Sequence, residues 1–139
     1  MKKKLIFTGF VSLILLASSC DLGVTEWIEV TEFGSPYVIN YDTGNYDPLM
    51  YGIDQAGQVH IKGVVQYTNT LQNSFNVFTL PEGYRPAARL YFPITIYTGT
   101  TWSEGRVYID FELGIVYVYG NAGENVEIAY LGEIIFSPF

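Results

Sequence analysis

The chain has 139 residues, 49% of them hydrophobic and 17% aromatic, with 14 acidic against seven basic groups and a formal net charge of −7. That balance excludes nucleic acid as a partner, because binding a phosphate backbone needs clustered Lys and Arg. A single cysteine excludes an internal disulfide, and the length fits one domain with one core.

The first nineteen residues read as an export signal. Lys2, Lys3 and Lys4 precede an apolar run over 5–17, and small residues lead to Cys20. This run of 13 residues falls short of the roughly twenty that span a bilayer. The run Leu16-Ala17-Ser18-Ser19-Cys20 resembles a bacterial lipobox, which implies a diacylated Cys20 as first residue of the mature protein and a membrane contact made by lipid. Ala17-x-Ser19 also satisfies the ordinary signal peptidase, which would leave a free thiol instead. Beyond residue 19 only Lys62, Arg85, Arg89 and Arg106 oppose the acidic groups.

Residues 20–33 read as a tether entering a first strand near Trp27–Val30, and 34–139 as a single domain. Gly, Asn, Asp, Pro and Tyr dominate 34–58, the composition of loops and short edge strands. Period-2 alternation then takes over. It places Val59, Ile61, Gly63, Val65 and Tyr67 on one face of a strand over 58–67. Leu90, Phe92, Ile94 and Ile96 share a face over 89–97, and Val107, Ile109, Phe111 and Leu113 share one over 105–113. A turn at Leu113-Gly114 returns the chain through Ile115–Tyr119, and 75–80 and 126–136 are strand-like. No helix is expected after the signal. Short strands separated by Gly, Pro and Asn turns predict an all-β fold, an antiparallel sandwich or barrel. Gly57, Gly105 and Gly114 each open a Gly-x-Val-x-(Ile/Val) run, read as one strand-opening device used three times.

Between these runs lies Phe78-Thr-Leu80-Pro81-Glu82-Gly83-Tyr84-Arg85-Pro86, and an Ile-x-Phe ending follows at 134–136. Over about residues 57–136 this order resembles the small jelly-roll-like domains at the tips of bacteriophage tail fibres and baseplate receptor-binding proteins. The resemblance implies a β-sandwich head, often a homotrimer, that binds cell-surface saccharide. On a chain with a lipoprotein signal, it suggests a fold borrowed by an envelope protein.

The candidate sites divide by chemistry. Ser74, Ser103 and Ser137 lie in no nucleophile-elbow context, and His60 is the single histidine, so no catalytic triad is expected. Asp110 and Glu112 suggest a carboxylate pair about 6–7 Å apart on one strand face, although solvated outward carboxylates are the commoner arrangement; no enzyme activity is expected. Asp42, Asn45 and Asp47, with Asp54 nearby, gather oxygen ligands without EF-hand spacing, and Asx-turn chemistry accounts for them. No metal or cofactor is expected. Leu80, Pro81, Gly83, Tyr84, Arg85 and Pro86 read as a rigid structural turn, with Tyr84 tucked beneath it and Arg85 bonding carbonyls.

Aromatic residues remain, with 12 tyrosines and two tryptophans. Sugars stack their C–H faces on such rings while Asp, Asn and Glu take their hydroxyls. Trp102 in a loop over Thr98–Glu104, Tyr97, Tyr108, Asp110 and Glu104 are therefore the expected ligand-binding residues. The opposing reading makes Trp102 a plug of the sandwich and the tyrosines a sheet cover or subunit contact. The function expected is that of a lipid-anchored binding protein of the cell envelope, at the outer membrane, recognising a neutral surface glycan. The alternative is a structural or assembly subunit that engages proteins through its aromatic face.

Overall fold

The computed structural model describes residues 23–42 and 44–138; the segment expected to be an export signal, and Cys20, lie outside them. In chain order the strands are β1 Ile28–Glu29, β2 Val38–Asn40, β3 Met50–Ile53, β4 Val59–Lys62, β5 Val64–Tyr67, β6 Ser74–Thr79, β7 Leu90–Tyr97, β8 Trp102–Ile109, β9 Ile115–Gly120, β10 Ile128–Tyr130 and β11 Ile134–Phe136. One 3-10 turn, Asn121–Gly123, follows β9. A seven-stranded sheet has the order β2-β5-β10-β7-β8-β9-β6, and a four-stranded sheet has the order β11-β4-β3-β1. Every pairing is antiparallel. The protein is an all-β antiparallel sandwich.

Alternation explains the core. Ile94 and Ile96 of β7, Val107 and Ile109 of β8, and Val116 and Val118 of β9 all point between the sheets. Val59 and Ile61 of β4 and Ile134 and Phe136 of β11 meet them from the smaller sheet. Each such side chain contributes roughly 1.5–3 kcal/mol when fully buried. Tyr51 of β3 joins the layers, stacked on Phe78 of β6 with centroids 5.9 Å apart and met edge-on by Tyr84 at 5.0 Å.

Two chain segments pass from one sheet to the other at a shared corner. The strand expected over 58–67 is two strands in different sheets, broken at Gly63. Gly63 has φ +132°, and a Cβ there would lie 2.5 Å from the Leu49 Cα. Beside it, Leu131 donates its N–H to the Gly63 carbonyl at 2.9 Å as the chain turns from β10 into β11. The segment 126–136 is therefore also two strands. The inward alternation survives the break, which is why the sequence reads as one strand.

Two further expectations change. The strand over 105–113 runs instead over Trp102–Ile109, and 110–113 is a turn that leaves Phe111 and Leu113 41% and 62% exposed. Gly57 (φ +85°) and Gly114 (φ +76°) do open strands, but Gly105 sits inside β8 with no positive φ. Gly105 is needed for space: a Cβ there would lie 2.6 Å from Ile96 Cγ2 and 2.8 Å from the Tyr119 carbonyl oxygen.

The Leu80–Pro86 run closes one end of the sandwich. Gly83 takes φ +94°, and Tyr84 N–H returns to the Pro81 carbonyl at 3.1 Å. Arg85 donates from Nε to the Leu80 carbonyl and from Nη1 to the Glu112 carbonyl, both at 2.9 Å. One side chain thus ties this turn to the β8–β9 turn, where Leu80 N–H also bonds the Gly114 carbonyl at 2.8 Å.

Candidate functional site

The outward phase of the seven-stranded sheet carries the aromatic residues that alternation leaves over. Tyr97 and Trp102 face each other in register at the turn end of the β7–β8 hairpin. Their connection is the four-residue turn Thr98–Thr101, so Trp102 begins a strand rather than lying in a loop. Thr98 holds that turn: its N–H bonds the Thr101 carbonyl at 2.9 Å, and its Oγ1 accepts the Thr101 N–H at 3.2 Å. Gly99 supplies φ +103°.

Next in the sheet, β10 places Tyr130 beside Thr95. The rings form a continuous row. Centroids lie 4.8 Å apart for Tyr97–Trp102, 5.4 Å for Trp102–Tyr130, 5.4 Å for Tyr130–Tyr46 and 5.9 Å for Tyr46–Tyr41. Trp102, second in the row, stays 52% exposed. The Tyr130 hydroxyl donates to that of Tyr46 at 3.0 Å. That bond, then burial, then the neighbouring phenols push the Tyr130 pKa up to about 12, so its hydroxyl stays neutral across ordinary pH.

Trp102 borders two open depressions. One, of about 470 Å³, is lined by Pro93, Ile94, Thr95, Trp102, Ser103 and Glu104. The other, of about 370 Å³, lies against Thr95, Trp102 and Tyr130. Thr95 and Glu104 face each other one register step inward from the Tyr97–Trp102 pair. Ser103 Oγ, by contrast, is engaged, donating to Glu124 Oε1 at 2.6 Å. The arrangement offers a broad ring surface with a hydroxyl and a carboxylate at its edge, which suits a flat ligand with apolar faces and polar rims.

Not every expected residue gathers here. Trp102, Tyr97 and Glu104 come together, and Tyr130, Tyr46 and Thr95 join them. Tyr108 lies six residues along β8 from Trp102, about 20 Å at strand rise, in a second row with Tyr91 (5.3 Å) and Tyr117 (5.5 Å). Asp110 lies farther still, beyond the end of β8, roughly 27 Å from Trp102. Its Oδ2 accepts the Leu113 N–H at 2.5 Å, so it caps the hairpin turn. Glu112 sits within that turn, and the two carboxylates do not share a strand face.

The remaining polar residues make internal contacts. Asp54 is 7% exposed and accepts from Ala56 N–H at 2.8 Å, Gln58 N–H at 2.9 Å and His60 Nε2 at 2.7 Å. The His60 bond first, and those backbone donors with it, hold the Asp54 carboxyl below its ordinary value. Lys62 Nζ reaches Asp47 Oδ2 at 3.3 Å and lies 4.3 Å from the centroid of Trp27, whose ring meets His60 edge-on. Asp42, at φ +45°, bonds Asn45 Nδ2 at 2.7 Å and closes a local turn. Among the described residues, no group of three or more His, Cys, Asp or Glu side chains is arranged to hold a metal ion.

The fold and the site together define an antiparallel sandwich with an open aromatic face. No protein-family model matches the chain, and no curated protein or solved structure matches it significantly.

Proposed function

We propose that this is a lipid-anchored binding protein of the bacterial envelope, held at the outer membrane through Cys20, which recognises a neutral surface glycan on the Trp102 face. One observation carries the reading. Trp102 is half-exposed yet held between Tyr97 and Tyr130, with Thr95 and Glu104 at its edge. A preset aromatic platform takes the C–H face of a sugar ring at little cost in side-chain ordering. The hydroxyl and carboxylate beside it suit sugar hydroxyls. The chain's excess of acidic groups disfavours an anionic polymer at low salt, so a neutral ring is favoured there. The resemblance of the 57–136 run to phage receptor-binding heads points to the same ligand class.

The test is a glycan screen with the purified full-length protein. Saturable binding to neutral oligosaccharides, competed by the free sugar, is the expected result. Absence of saccharide binding, together with self-association or capture of a defined envelope protein through the same tyrosines, would replace this reading with that of an assembly subunit.

A further inference from the structure

The sheet face that carries Trp102 ends in a different chemistry. Of the four cations beyond residue 19, two are held in internal contacts: Lys62 by Asp47 and Trp27, and Arg85 by the Leu80 and Glu112 carbonyls. The other two, Arg89 and Arg106, are exposed, and no carboxylate of the described residues lies within ion-pair distance of either. Arg106 lies on the outer face of β8, and Arg89 immediately precedes β7, over Tyr108 on the same face. They bracket the row in which Tyr91, Tyr108 and Tyr117 stand in register across β7, β8 and β9.

The Arg89 guanidinium lies 5.3 Å from the Tyr108 ring centroid. Arg106 sits two residues nearer Trp102, in register with Pro93 and Tyr119. Strand geometry puts the two arginines about 13 Å apart along the sheet, within reach of each other's tips across the tyrosine row. Tyr91 is 53% exposed while Tyr108 and Tyr117 are half-buried, so a ligand meets the row at Tyr91.

We infer that this end of the face is an anion-accepting subsite for a carboxylate-bearing sugar, a uronic acid unit, with the exposed Tyr91 as its platform and Arg106 and Arg89, the latter seated on Tyr108, as its carboxylate partners. The inference rests on the reading that this face binds saccharide, and it adds a second position with the opposite charge preference. A pyranose stacks on the Tyr91 ring, and the planar guanidinium fork matches a carboxylate with two parallel N–H bonds. The acidic surplus elsewhere does not cancel this attraction. At physiological salt the screening length is about 8 Å, so distant acids are screened. Glu104, two residues from Arg106 and roughly 7 Å away along the strand, lies inside that length but is outnumbered by the two arginines. Glu104 instead lines the depression at Trp102, where a neutral unit is expected. The rows from Tyr97–Trp102 to Tyr91–Tyr108 span about 20 Å, enough for one chain of several sugars with its charged unit at the arginine end.

The experiment uses a neutral oligosaccharide ending in a single galacturonate unit, as free acid and as methyl ester, which differ in charge but keep the same ring. Binding to the purified full-length protein is measured by calorimetry at 50 mM and 500 mM salt. The expected result is at least tenfold tighter binding of the acid at low salt, with that preference lost in Arg106→Gln combined with Arg89→Gln. A neutral glucan oligomer should keep its affinity in that double variant and lose it in Trp102→Ala. An acid preference that persists in the double variant, or no preference at all, overturns the subsite while leaving the Trp102 reading intact. Acid binding that depends on the arginines, without any neutral binding, upholds the subsite and overturns the reading at Trp102. No binding of any of the three oligomers overturns both. Both arginines are exposed, so the double variant is expected to unfold at the wild-type temperature, and that measurement checks it.

Discussion

Gly63 is the position where the fold depends most on a missing side chain. A Cβ at this residue would lie 2.5 Å from Leu49 Cα, 2.8 Å from Leu49 N and 2.9 Å from the Pro48 carbonyl oxygen, all of them backbone atoms. Leu49 has little freedom to retreat: it is fully buried, its N–H bonds Asn40 Oδ1 at 2.9 Å, and its carbonyl accepts the Val30 N–H at 2.9 Å. Gly63→Ala therefore forces a strained φ, costing about 1–3 kcal/mol, and an overpacked corner, costing about 1–3 kcal/mol more. Reduced freedom of the unfolded chain offsets about 0.4–1 kcal/mol of that. A net loss of about 1–6 kcal/mol is expected, read as a lower urea midpoint at unchanged slope by tryptophan fluorescence. Gly132, on the other chain segment of the same corner, has nothing within 4 Å of where its Cβ would stand. Gly132→Ala should stay within about 0.5 kcal/mol of wild type. Equal effects at the two glycines would refute the corner packing described here.

Arg85→Ala should cost about 2–3 kcal/mol by the same assay, since it removes two charged hydrogen bonds between turns, and Arg85→Lys should recover only part of it because an ammonium lacks the planar fork. Asp54 gives a pH signature. Its carboxyl is held below the ordinary value of 3.8, so its contribution is complete above that pH and is lost as pH falls through the depressed folded value. The stability gap between wild type and Asp54→Asn should shrink as pH falls below about 3.8, in urea titrations from about pH 5 downward. Cys20, in the segment before the described residues, should carry lipid: detergent phase partitioning should send the wild type to the detergent phase and Cys20→Ser to the aqueous phase.

Much of the sandwich was legible because half-buried strands print their pleat on the sequence. The alternation over 89–97 gives both faces of β7, including the outward Tyr91 and Tyr97, and the same rule gives Val107 and Ile109 of β8. It misleads where the backbone changes direction without breaking the period. Gly63 carries the chain between sheets while Val59, Ile61, Val65 and Tyr67 stay inward, and Phe111 and Leu113 continue an apparent strand through a turn that Asp110 caps. Gly105 shares its local pattern with Gly57 and Gly114 but answers to Ile96 across the sheet, a contact 9 residues away and invisible in the motif. The site was half legible for the same reason. Tyr97 and Trp102 are neighbours in sequence, whereas Tyr130 reaches Trp102 only through the pairing of β10 with β7, and Tyr46 through a loop. The one available signal for Tyr130 was its position between the apolar Ala129 and Leu131, both buried.

The central claim is that Trp102 is a platform for a ligand and not a plug of the sandwich, and one paired measurement tests it: neutral-glycan affinity and thermal unfolding of Trp102→Ala beside wild type. Half of the ring is already exposed, and its losses are the contacts with Tyr97 and Tyr130, about 1–3 kcal/mol for the two pairs. For a domain of this size that corresponds to a shift of roughly 4–12 °C. Abolished binding with unfolding within about 12 °C of wild type is the predicted result. Retained binding, or a drop well beyond roughly 12 °C, would contradict it and make Trp102 part of the fold.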